Sequence, residues 1–231
     1  MQLFYRQKMR RHDKLCSDIL SSLNMRVNPR DIRYFAKYRP WQRKLRFLEK
    51  IGLKSIYHFI RNDKKIIITG GLKPRLFSEH FKYIFLKELW DNNLDYTCTK
   101  RFKLFKDRID AGKEIVMPVK GYRLKNLEDL ESYFQDYVRL LESMSAEGFL
   151  AQKSNDELLV IIGEKGELIK TSRGRHRLAA AQITGIESIP VRVRHIHQSW
   201  VEMQKAGRAG KEGLAEDIAL SMQKVREMYS S

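Results

Sequence analysis

Six consecutive residues, Ser172-Arg173-Gly174-Arg175-His176-Arg177, stand immediately ahead of Leu178-Ala179-Ala180-Ala181-Gln182-Ile183, a strong helix former. A helix opening at this point aims its first backbone N–H groups and the positive end of its dipole at whatever lies before it. Gly174 allows close backbone approach there, the arginines can grip a phosphate bidentately, and His176 can donate to a phosphoryl oxygen. The predicted chemistry is anion binding, with phosphate as the ligand and Ser172, Gly174, Arg175, His176 and Arg177 as its contacts. Ser172 either donates to the phosphate or caps the turn. The competing arrangement has Glu164, Glu167 or Glu187 neutralise a purely structural basic cluster, which would set cations against the positive end of a helix.

The elements that must hold this junction are legible on both sides. Glu157 to Ile162 and Glu167 to Thr171 flank Gly163-Glu164-Lys165-Gly166, which predicts a β-hairpin whose second strand runs straight into the basic cluster. Gly185 should stop the following helix, and Ile189-Pro190-Val191-Arg192-Val193 reads as a last strand. Upstream, apolar residues at Leu127, Leu130, Phe134, Tyr137, Val138, Leu141 and Met144 mark one buried face of a long helix. Asn126 is placed to cap it, Glu128, Asp129 and Glu131 suit its positive end, and Gly148 should close it.

Were a phosphoryl group to be transferred, a carboxylate would have to orient the acceptor hydroxyl, usually with Mg²⁺. Glu147, Glu164 and Glu167 are the candidates nearest in sequence, with Asp156 beside them, and each could equally be a solvated loop charge. His195 and His197 alternate along the last strand as a metal pair would, but no third ligand accompanies them, so no metal site is assigned.

From Gly174 to Val193 the sequence resembles the ParB/sulfiredoxin superfamily, whose motif has the form Gly-x-His/Arg-Arg, then an Ala-rich helix, a glycine turn and an Ile-Pro-Val strand. Gly174, His176, Arg177, Ala180, Gly185, Ile189 and Pro190 match it, and the layout extends over about residues 118–196. The resemblance implies a small mixed sheet with helices, an α/β (α+β) fold, binding ATP or another nucleotide. Sulfiredoxins carry a catalytic cysteine where this chain has Arg175. Chromosome-partitioning ParB proteins carry Gly-Glu-Arg-Arg and a following helix-turn-helix, for which the residues beyond His195 leave little room. The small-molecule kinases of the superfamily, with a Gly-His-His-Arg-like motif, are the closest in these residues. A kinase acting on a small molecule or glycan precursor is the activity this branch implies.

The composition places the cluster in a wider setting. With 42% hydrophobic and 10% aromatic residues the chain is globular, and a formal charge of +17 points to polyanionic partners. The excess is uneven: residues 1–60, 61–110 and 111–231 carry +11, +5 and +1. A basic, mostly helical region is therefore expected over 1–111, the nucleotide-binding unit over 112–200, and a C-terminal helix over 201–231. In the basic region a short helix is predicted from Ile32 to Tyr38, another along Trp41, Leu45, Leu48 and Ile51, a strand within Lys64 to Gly71, and a helix from Phe81 to Leu94. Tyr34, Phe35, Tyr38, Trp41 and Phe47 interleave with cations, either as a core or as a surface that stacks on DNA or RNA bases. A non-enzymatic nucleic-acid-binding protein is thus the second function class, and docking on an anionic membrane surface a third. Two isolated cysteines and no apolar run of about 20 residues suggest a reducing, cytoplasmic setting.

Overall fold

In a computed structural model of the protein, the described residues are 23–36, 66–69, 72–117, 122–150, 158–171, 173–205 and 214–229. The helix expected along Trp41 to Ile51 lies outside them, as do Tyr38, Phe47, Asp156 and Ser172. The fold is mixed α/β.

Its centre is the hairpin. Strands β7 (Leu159–Ile162) and β8 (Leu168–Lys170) pair antiparallel with Ile161 opposite Ile169. Gly166 takes φ +85°, and the ring of Trp200 fills the space a Cβ would need, at 2.8 Å, so this position requires glycine. Gly163, the other turn glycine, does not have positive φ. Strand β9 (Ile189–His197) lies parallel to β7, with a bulge at Val160/Ile161. Beyond the bulge the in-out alternation of β9 gives way to three buried residues, His195, Ile196 and His197.

The N-terminal part supplies the rest of the sheet. β1 (Asn24–Val27) pairs antiparallel with β9, β2 (Tyr34–Phe35) runs parallel to β8, β3 (Ile67–Ile68) adds to the end of β9, and β4 (Arg75–Leu76) closes the edge beside β2. The order is β1-β9-β7-β8-β2-β4. The sheet thus crosses the boundary expected at residues 111/112. Residues 24–76 and 159–197 share one set of backbone hydrogen bonds, and the main core joins Val27, Phe77 and Leu86 to Leu130, Val160 and Ile189. The helix expected over Ile32 to Tyr38 is likewise corrected: Tyr34 and Phe35 are strand, and the Ala36 N–H donates to the Lys170 carbonyl at 3.1 Å. Edge pairing to β8 and burial of Phe35 against Phe77 outweigh a weak local helical preference.

The helices pack around this sheet. α1 (Phe81–Asp91) and α2 (Lys100–Asp110) precede a separate hairpin of β5 (Ile115–Met117) and β6 (Tyr122–Leu124). α3 (Leu127–Glu147) is capped by Asn126, whose side chain accepts from Asp129 N–H, and ends at Gly148 with φ +74°. Its buried face is Leu130, Tyr133, Phe134, Tyr137, Val138, Leu141 and Met144, the expected stripe with Tyr133 added and Leu127 left exposed. α4 (Arg175–Ile183) lies against α1 and α3. The single C-terminal helix expected over 201–231 is two, α5 (Gln198–Lys205) and α6 (Leu214–Tyr229), joined by Trp200 Nε1 donating to the Ser221 carbonyl and by a Lys205–Asp217 ion pair.

Candidate phosphate site

The chain leaves β8 through Lys170, a lysine with no exposed surface. Its ammonium donates to the Leu159 carbonyl at 2.8 Å and to the Arg173 carbonyl, tying the end of β8 and the start of β7 to the turn that leads into α4. A buried ammonium is stable only when its donors are satisfied, so these carbonyls fix both the side chain and the turn. Gly174 then takes φ +73°, and a Cβ there would lie 2.5 Å from Leu158 Cδ2. Both the left-handed backbone and the space demand glycine. As N-cap, Gly174 offers no side chain to the first-turn N–H groups of α4.

The three basic residues that open α4 take different directions. Arg175 bends back, Nε donating to the Thr171 carbonyl at 3.1 Å and Nη1 lying 2.9 Å from His80 Nε2. Burial pulls the Arg175 pKa below its ordinary value. His176 Nδ1 lies 3.5 Å from the Lys82 ammonium, and its ring sits 5.0 Å from that of Tyr137. The Arg177 guanidinium carbon is 5.7 Å from the Phe149 ring, with Nη2 buried beside Gly174.

His80 and Lys82 bring a second helix end to this place. His80 caps α1, its Nδ1 accepting from the Lys82 N–H at 3.1 Å. The ring is 4% exposed and boxed by Phe35, Phe77 and Phe81 at centroid distances of 4.7, 5.9 and 4.7 Å. The N-termini of α1 and α4 therefore meet, each carrying roughly half a positive charge. Lys82, Arg175 and Arg177 add cations in the first turns of these helices, where each is unfavourable by roughly 0.3–1 kcal/mol. This concentration of donors and positive potential is what an oxyanion offsets.

Of the other residues singled out in the sequence, Glu147 is exposed at the end of α3, two positions before Phe149. Glu164 and Glu167 occupy the β7–β8 turn, at the opposite end of those strands from Gly174. There Glu167 accepts from the Lys165 N–H at 2.8 Å, and Glu164 lies 3.7 Å from His197 Nε2. His195 and His197 are both buried on β9, and His197 Nδ1 accepts from the Ser199 N–H. Among the described residues no three His, Cys, Asp or Glu side chains gather as metal ligands would. Tyr34 and Phe35 face packed clusters rather than forming a stacking surface.

Sequence reasoning missed His80, Lys82 and Lys170. Nothing in the spacing ties residue 80 to residue 175. For Lys170, a lysine on a strand otherwise reading Leu-Ile was a signal that could have been followed.

The fold and site together define a mixed α/β protein in which two helix N-termini converge with Arg175, His176, Lys82 and His80. Comparisons with protein-family models, with curated proteins and with solved structures give no match.

Proposed function

We propose that the protein binds the phosphates of a nucleotide, ATP or a relative, at the N-terminus of α4, in the manner that its resemblance to the ParB/sulfiredoxin superfamily implies. The observation that carries this reading is the meeting of α1 and α4, which joins two positive helix ends to Arg175, His176 and Lys82 around a glycine that admits no side chain. Gly174, Arg175, His176 and Arg177 are the phosphate contacts. Calorimetric titration with ATP, ADP and CTP, with and without Mg²⁺, tests it. Micromolar to millimolar binding that Arg177→Ala weakens at least tenfold is expected, and equal binding by the variant would refute the assignment.

Phosphoryl transfer is the use of the bound nucleotide that the resemblance implies, and Glu147, two residues before the Phe149 that lies against Arg177, is its candidate carboxylate. In such a step an acceptor hydroxyl attacks the terminal phosphorus, its proton passes to the carboxylate, and the nucleoside diphosphate leaves. Glu147 would orient that hydroxyl; Glu164 and Glu167 are too far along the hairpin for the role. Mg²⁺ at such a site is held chiefly by the phosphates and one or two carboxylates, a role Glu147 could fill. Glu147→Gln should keep nucleotide affinity while removing transfer, read by product formation from labelled ATP with candidate hydroxyl acceptors.

A further inference from the structure

Beside the proposed phosphate contacts an aromatic ring faces solvent. Phe81, the first residue of α1, is 57% exposed, although its ring stacks on the buried imidazole of His80 at 4.7 Å and an interplanar angle of 27°. A ring held by a buried neighbour and still open is a platform for a second ring. Ile84, one turn further along α1, is also exposed and extends the apolar surface.

Arg101, from α2, borders the same ring. Its guanidinium carbon lies 5.8 Å from the Phe81 centroid and 5.1, 5.2 and 5.9 Å from those of Phe85, Phe105 and Tyr133. One of its N–H groups donates to the Tyr133 hydroxyl at 3.0 Å, and among the described residues no carboxylate pairs with it. By contrast Arg123 pairs with Glu114 and Arg139 with Asp136. Four aromatic rings thus fix the cation without neutralising it. A guanidinium so held can stack on a base or donate to its ring nitrogens and carbonyl oxygens.

Position ties this surface to the phosphate site. Arg175 Nη1 is 2.9 Å from His80 Nε2, and His80 stacks on Phe81, so one imidazole separates a proposed phosphate contact from the open ring. A ribose and its linking phosphates reach that far. A nucleotide with its phosphates at the first turn of α4 can therefore lay its base, the planar end of the ligand, on Phe81. Both α1 and α2 lie outside the residues that resemble the ParB/sulfiredoxin superfamily, so it is this chain's own packing that brings the ring here.

We infer that Phe81 and Arg101 form the base subsite of the proposed nucleotide site, with the nucleobase stacked on Phe81 and the Arg101 guanidinium beside it. The inference rests on the phosphate reading and deepens it: the ligand is selected as a nucleotide, not as a phosphate or polyphosphate.

The test titrates the full chain with ATP and with tripolyphosphate, which has the phosphates but no base, and compares wild type with Phe81→Ala and Phe81→Trp. Phe81→Ala should weaken ATP binding about tenfold and leave tripolyphosphate binding within about twofold, while Phe81→Trp keeps both. An unchanged ATP affinity in Phe81→Ala gives the open ring to another occupant and overturns the base subsite. An equal loss for both ligands makes Phe81 a support for the phosphate contacts and overturns it as well. Arg101→Gln should show the same selective loss, and an unchanged ATP affinity there removes Arg101 from the subsite. No binding of either probe by wild type removes the phosphate site itself and the base subsite with it. Should Phe81→Ala fold poorly, nuclear Overhauser contacts in the wild-type complex decide: the ATP base protons should contact the Phe81 ring protons, and contacts confined to other residues overturn the assignment.

Discussion

Gly174 and Lys170 hold the site from behind, one by having no side chain and the other by burying a charged one. Gly174→Ala forces a left-handed residue, unfavourable by roughly 1–2 kcal/mol, into contact with Leu158. It should lower the melting temperature by about 2–8 °C and abolish phosphate binding, measured by thermal denaturation and titration of the same sample. Lys170→Met keeps the length of the side chain but strips a donor from the Leu159 and Arg173 carbonyls. The Leu159 carbonyl keeps its Thr171 donors while the Arg173 carbonyl loses the ammonium, a loss of roughly 1–3 kcal/mol that chemical denaturation should show. Recovery with Lys170→Arg is not expected, since a planar guanidinium does not fit where a point ammonium serves two carbonyls.

At the scale of elements, α3 shows how far local signals reach. Its cap, its acidic first turn, its buried stripe and its closing glycine were all legible in the sequence, because each depends on residues within a turn or two. The hairpin of β7 and β8 and the start of α4 were legible for the same reason. Strand β2 was not: Tyr34 and Phe35 are strand because β8 and β4 lie on either side of them, and those neighbours are remote in sequence. Asn126→Ala should reduce stability by about 1 kcal/mol in urea titration. α3 also carries a hydroxyl network, with Tyr133 and Tyr137 oxygens 3.0 Å apart and Arg101 donating to Tyr133. Burial, reinforced by Tyr133, pushes the Tyr137 phenol well above its ordinary value, and the hydrogen bond to Asp136 pushes Tyr122 up to about 12. For a phenol whose folded pKa is raised, the stabilising difference is whole below about pH 10 and disappears as pH climbs to about 12. Alkaline denaturation should therefore steepen in that window, and Tyr122→Phe should flatten it.

The whole molecule is where reading by segments goes furthest astray. The change in charge near Gly112 is real, but it marks no structural seam, since β1, β2, β3 and β4 complete a sheet built on β7, β8 and β9. A fragment of residues 112–231 lacks the partners of β8 and β9 on their outer edges. Expressed alone it should give no cooperative melting transition, whereas a sharply melting fragment would restore the two-part division. Half of the candidate site was legible for a related reason: Gly174 to Arg177 announce themselves as a local pattern, while His80 and Lys82 arrive through tertiary packing. The charge excess is a separate matter from the candidate phosphate site. Affinity for DNA or RNA arising from it should fall steeply with salt, while Arg177→Ala should leave that affinity nearly intact.

The contact between His80 and Arg175 spans 95 positions of the chain. An oxyanion bound where the first turns of α1 and α4 meet, as proposed, would act as a removable clasp between an early and a late segment of the polypeptide. During synthesis the site has no existence until α4 has left the ribosome, so α1 must wait with its positive end unanswered. Once the clasp closes, hydrogen exchange at the first turn of α1 should slow together with that at the first turn of α4, two places that no stretch of local sequence connects.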